Sequence, residues 1–276
     1  MKLGSDPASA HAVKRPIGVF DSGIGGLSIL RALRAELPFE NFVYVADSGH
    51  APYGERDDCF VVARSRAITR HLLTQHHIKA LVIACNTATA AGIHLLRQEH
   101  PELPIIGVEP ALKPAVACSQ TRRIGVMATR GTLGSAKFRM LVESLASQAD
   151  FVCQPCDGLA DAIERQDTTK IIALCAQYTG AMGQFGTNSG QIDTLVLGCT
   201  HYSFASEHLI KLVGPDVRLV DNGEPVARQT RRRLTTLSPD DAPGHCVLLT
   251  TGDGATLQHA AQQWLALDCP VESLLI

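Results

Sequence analysis

The chain has 276 residues, 45% of them hydrophobic, with 25 basic against 27 acidic residues and a formal charge of −2. That length suits one large domain or two of ordinary size around a substantial core, and the composition excludes disorder as a description. A near-balanced charge offers no field for nucleic acid or an acidic membrane surface, and no run approaches the ~20 apolar residues of a membrane span.

Residues 1–15, MKLGSDPASAHAVKR, hold no apolar stretch long enough for a signal peptide, so they read as a mobile leader on a cytosolic protein. From there β-rich runs alternate with helical patterns: IGVFD at 17–21, FVYVAD at 42–47, ALVIAC at 80–85, PIIGV at 104–108 and IGVMAT at 124–129. The series goes on with FVCQP at 151–155, TLVLGC at 194–199, RLVD at 218–221 and CVLLT at 246–250, with further helices expected over 223–236 and 254–265. Continuous Val/Ile/Leu runs bounded by helices are strands buried on both faces, which predicts an α/β fold with mainly parallel sheets flanked by helices. Arg228 and Arg231–Arg233 read as a solvated helix face, not as a phosphate-binding patch.

An internal repeat runs through this pattern. The IGV strand recurs 107 residues on (17 to 124), and an apolar run ending in cysteine recurs 114 residues on (Cys85 to Cys199). Two pseudo-symmetric α/β domains follow, with their strand ends enclosing one site in the cleft between them, since ligands of open α/β sheets gather at the carboxyl ends of the strands. The expected boundaries are 16–110 plus 222–276 for a discontinuous first domain and 111–221 for the second.

Chemistry-bearing residues cluster after the strands. Asp21-Ser22-Gly23-Ile24-Gly25-Gly26 is a glycine-rich turn opening a helix, and it departs from the dinucleotide fingerprint because Ser28 stands at the third glycine position. Free N–H groups there, with the Ser22 hydroxyl, would attract a carboxylate or phosphate. The loop Asp47–Gly54 carries turn chemistry at Pro52 and Gly54. Cys85, followed by Asn86 and Thr87, should sit at a helix N-terminus, where the dipole favours thiolate. Cys199, followed by Thr200 and His201, repeats the arrangement and adds an imidazole.

Nine cysteines is an odd number, and several lie in strand contexts, so they read as reduced thiols. Cys153 and Cys156 have C-x-x-C spacing but lack a second half-site for zinc, and no metal site is expected; Cys59, Cys118, Cys175, Cys246 and Cys269 read as structural. Two opposed thiols have a clear use. Inverting an α-carbon removes a proton from one face and returns one to the other, and a thiol titrating near pH 8.5 can serve as acid or base. Nothing in the sequence points to a pyridoxal lysine, so oriented donors around the substrate carboxylate, Asn86, Thr87 and Thr200 among them, would have to stabilise the carbanion. Competing readings are a hydrolase or transferase using a cysteine nucleophile with His201, which leaves Cys85 without a role, and an amino-acid-binding protein in which both thiols are incidental.

DSGIGGLS, APYG, VIACNTATA, GVEPA, LGCTHY and VDNG together resemble the glutamate racemases of the aspartate/glutamate racemase superfamily, from about residue 16 to at least 222. The resemblance implies a cytosolic enzyme that interconverts L- and D-glutamate without a cofactor, the D-isomer being destined for peptidoglycan. Catalytic thiols then fall on Cys85 and Cys199, assisted by Asp21 and His201, with Glu164 a further acidic site residue. Substrate-binding positions fall on Asp21, Ser22, Pro52, Tyr53, Gly54, Asn86, Thr87, Thr200 and His201, and a T-x-x-T pair falls on Thr129 and Thr132. Aspartate is the nearest rival substrate. The resemblance is compatible with a homodimer and involves no nucleic acid or membrane. One departure is Ser203, where many members have proline after GCTHY.

Overall fold

The computed structural model describes residues 14–234, 237 and 242–276; most of the expected leader, and residues 235–236 at the end of the helix expected over 223–236, lie outside them. Ten strands form two sheets: β1 (Ile17–Asp21), β2 (Phe42–Ala46), β3 (Ala80–Ile83), β4 (Ile105–Gly107), β5 (Arg123–Ala128), β6 (Asp150–Pro155), β7 (Thr194–Leu197), β8 (Arg218–Val220), β9 (Cys246–Thr250) and β10 (Val271–Ser273). The first sheet has the order β10-β9-β2-β1-β3-β4 and the second β6-β5-β7-β8. Every pairing is parallel, in keeping with the α/β class expected from the apolar runs.

Core order is the same in both sheets. The run β2-β1-β3-β4 matches β6-β5-β7-β8 strand for strand, so the chain reverses direction of growth between β1 and β3 in one sheet and between β5 and β7 in the other. Such switch points leave a crevice at the carboxyl ends. The first sheet is extended past β2 by β9 and β10 from the end of the chain.

Burial explains why the strands form where they do. All five residues of β1 and of β2 are buried, as are the four of β3 and of β7, so each sheet is packed on both faces. One apolar cluster lies on each face of each sheet. Phe204 and Trp264 belong to the margins of two clusters, one from each sheet, and stack with ring centroids 3.5 Å apart. The helix Gly223–Arg233 exposes Arg228 and Arg231, which pair with Glu224 and Glu36, as a solvated face should. Among the described residues no helix is long and apolar enough to cross a membrane.

The Phe204–Trp264 stack bridges the two cores, and Trp264 is the one tryptophan of the sequence, so its fluorescence reports the contact. We expect Phe204→Leu to lower stability by about 1 kcal/mol. An unchanged urea midpoint followed by Trp264 emission would show that the stack contributes nothing.

Candidate active site

Cys85 ends the segment after β3 with extended backbone and caps the helix Asn86–Glu99, its Sγ accepting from the Ala88 N–H at 3.4 Å. The Ser22 hydroxyl lies 3.9 Å from the same sulfur. Cys199 follows β7 with nearly the same backbone angles, but Thr200–Ala205 is a 3-10 turn and not an α-helix. The expected repetition of a helix start is therefore incomplete. In place of a backbone donor, Cys199 Sγ has His201 Nδ1 at 3.8 Å.

His201 is the hinge of the second half of the site. Its Nε2 lies 2.8 Å from Glu164 Oε2, and its Nδ1 lies 4.0 Å from Asp21 Oδ2. Burial alone would pull the imidazole down, but its bonds to Cys199 and Glu164, with the charge of Asp21, outweigh that and hold it well above the usual histidine range. A doubly donating imidazolium fits both contacts.

Asp21 ends β1 and is fully buried. Its Oδ2 accepts from the Gly26 N–H at 2.7 Å and the Thr200 hydroxyl at 3.4 Å, while Oδ1 has no partner among the described residues. Burial raises its carboxyl above the usual range, with the charge of Glu164 adding to the rise and His201 opposing it. Cys85 is pushed well up as well, first by burial and then by the Asp21 carboxylate, with the charge of Cys199 contributing.

Two of the N–H groups that the sequence suggested would be free in the glycine-rich turn are taken. Ile24 N donates to Glu164 Oε2 at 2.9 Å and Gly26 N to Asp21, so the protein's own carboxylates occupy both. The glycines serve another purpose. A Cβ on Gly23 would stand 2.2 Å from Glu164 Oε2, and one on Gly25 would stand 2.2 Å from His201 Nδ1. Only glycine lets the second sheet's residues approach this turn so closely.

The remaining candidates make contacts of their own, several of them between the two halves. Thr87 Oγ1 lies 3.1 Å from Thr129 Oγ1, which lies 2.9 Å from Thr132 Oγ1, a row of hydroxyls running from one half to the other. Asn86 Oδ1 is buried without a partner among the described residues while its amide donates to the Val108 carbonyl. Gly54 packs on Thr129 so closely that a Cβ added to it would stand 2.7 Å from the threonine's own. Tyr53 is buried, but its hydroxyl is committed to Asp47, which also takes both arms of Arg64 at 2.9 Å and the Thr251 hydroxyl at 2.8 Å. Pro52, beside it, is half-buried.

Sequence reasoning passed over three residues. Ser48 donates to Glu164, Tyr44 donates its buried hydroxyl to the Gly23 carbonyl at 2.5 Å, and Asn222 holds the Leu197 carbonyl at the end of β7 while its own Oδ1 lacks a partner among the described residues. Of these, only Asn222 lay in a motif, VDNG. Cys153 and Cys156 are separate thiols, one exposed and one buried, and Cys59 is exposed, so it contributes nothing to a core. Among the described residues no group of three or more His, Cys, Asp or Glu is arranged to hold a metal ion. Cys85 and Cys199 are both buried, at 5% and 7% exposed.

Residues 26–230 match the Asp/Glu/Hydantoin racemase family. A glutamate racemase of Cupriavidus pinatubonensis is 46% identical over 95% of this chain and 95% of its own length. Among solved structures, a glutamate racemase of Bacillus anthracis superposes with a TM-score of 0.83 at 30% identity, covering 95% of this chain and 97% of that one. One from Francisella tularensis in complex with D-glutamate gives 0.80 at 25% identity, covering 95% and 98%.

Two expectations test the site's electrostatics and packing. The Asp21 carboxylate opposes ionisation of Cys85, so Asp21→Asn should move the pH profile of Cys85 alkylation, resolved by peptide mass spectrometry, to lower pH. A profile that stays put or rises would refute that coupling. Gly25→Ala forces a methyl against His201 and should cost about 1–3 kcal/mol, read as a lowered melting temperature.

Proposed function

This chain belongs to the Asp/Glu/Hydantoin racemase family, and from that premise we propose that it interconverts L- and D-glutamate by proton transfer between Cα and two thiols, Cys85 and Cys199. The observation that carries the reading is the placement of the thiols. Each follows the strand on the far side of a switch point, β3 beside β1 and β7 beside β5, in sheets of the same order.

One thiolate takes the α-proton as the C–H bond breaks, and the electron pair passes into the adjoining carboxylate. The opposite thiol then gives its proton to the other face of Cα and becomes the thiolate. Roles exchange with direction, so the protein ends each turnover with the proton inventory reversed. Asp21 and His201 assist Cys85 and Cys199 respectively, and Glu164 orients His201.

Binding follows from groups the protein leaves unpaired. Buried acceptors without partners at Asp21 Oδ1 and Asn86 Oδ1 call for a donor, which the α-ammonium supplies. Hydroxyls of Ser22, Thr87, Thr129, Thr132 and Thr200 and the amides opening the helix Asn86–Glu99 are donors suited to carboxylates. Pro52, Tyr53 and Gly54 close the rim. Glutamate over aspartate rests on the named activity of the relatives. The proposed setting is cytosolic, with no added cofactor, the D-glutamate feeding peptidoglycan.

In deuterium oxide with chelator present and no cofactor, the purified protein should racemise glutamate and place deuterium at Cα; racemisation without exchange would sink the proton-transfer reading. Cys85→Ala and Cys199→Ala should each lower kcat by at least about a hundredfold. Near-normal turnover in either variant would refute the two-thiol assignment, and faster racemisation of aspartate would reassign the substrate.

A further inference from the structure

We propose that Ser48 is a positioning residue for the Cys199 half of the site, acting through Glu164; the role rests on the racemase reading above. Ser48 follows β2, and its hydroxyl donates to Glu164 Oε1 at 2.5 Å across a separation of 116 residues. The other oxygen, Oε2, meets Ile24 N at 2.9 Å and His201 Nε2 at 2.8 Å. A carboxylate's terminal torsion is broad, so nothing intrinsic to glutamate selects this orientation. Pinning Oε1 at Ser48 leaves Oε2 directed at Ile24 and His201.

The competitor is water. Ser48 and Glu164 border an open groove with Gly252, Asp253, Thr256 and His259, and an unheld Oε1 would turn toward solvent there. Ser48 is itself well anchored. The preceding residue, Asp47, accepts from Tyr53, Arg64 and Thr251, and its N–H donates to the Asp21 carbonyl at 3.0 Å. The hydroxyl therefore stands on a fixed post of the first sheet and holds a carboxylate that arrives from the second. Glu164 in turn fixes His201, whose other nitrogen faces Cys199 and Asp21.

Ser48→Ala should lower kcat about tenfold in both directions, the worth of a hydrogen bond to a charged acceptor, with KM changed less than about twofold because the Ser48 hydroxyl is spent on Glu164. Ser48→Thr keeps the hydroxyl and should restore most of the loss. In a Glu164→Ala background, Ser48→Ala should add nothing. Far-UV circular dichroism and melting establish that the variants are folded. A second readout needs no turnover: the imidazole of His201, followed by NMR, should titrate at lower pH in Ser48→Ala than in the unaltered protein. Wild-type kcat in Ser48→Ala, losses that add to those of Glu164→Ala, or an unmoved His201 titration would each overturn the inference. An unaltered protein that fails to racemise glutamate would instead overturn the racemase reading, and the His201 titration would still decide the role of Ser48.

Discussion

The contact on which the cleft depends is the approach of Glu164 and His201 to the turn Gly23–Gly26. Side chains from the second sheet lie where a Cβ on Gly23 or Gly25 would be, so the two halves can close only onto a backbone that lacks one. Closure in turn supplies Ile24 N to Glu164, directs Glu164 to His201 and sets His201 beside Cys199. The same turn anchors Asp21 through Gly26 N, and Tyr44 holds the turn from beneath by its bond to the Gly23 carbonyl. Loss of the close approach would therefore disturb both thiols at once.

Backbone symmetry and electrostatic asymmetry coexist here. Both cysteines have extended backbone at the end of a buried strand, at matching places in sheets of matching order. Their surroundings differ in charge. Cys85 has the Ala88 N–H and a hydroxyl for support and the Asp21 carboxylate against it, whereas Cys199 faces an imidazole whose pKa its neighbours raise. In the proposed reaction each thiol must serve as acid in one direction and base in the other. Unequal surroundings then give kcat and KM of the two directions unequal dependence on pH, while the ratio kcat/KM keeps one profile because enantiomers are equal in free energy at every pH.

The strands were legible because continuous apolar runs can be buried on both faces only in a covered parallel sheet, as β1, β2, β3 and β7 are. β10 was not legible. Its three residues, Val-Glu-Ser, show no apolar run, and two of them are exposed; pairing with β9 alone makes them a strand. The 3-10 turn after Cys199 was equally hidden, since Cys-Thr-His-Tyr and Cys-Asn-Thr-Ala look alike as a cysteine followed by polar groups.

What the sequence determined by itself was the α/β class, the twofold repeat and the residue types at the strand ends, since these follow from local periodicity and from motifs read within a few residues. Tertiary structure decided what those residues face. Ile24 reaches Glu164 across 140 positions and Ser48 reaches it across 116, while Thr87 meets Thr129 across 42. No local pattern encodes partners so distant. The glycines of the turn also give clearance to a carboxylate and an imidazole from the other half, and a serine with no motif of its own donates to that carboxylate. Both depend on how the two sheets meet, and that is fixed by packing between them, not by the order of residues along either one.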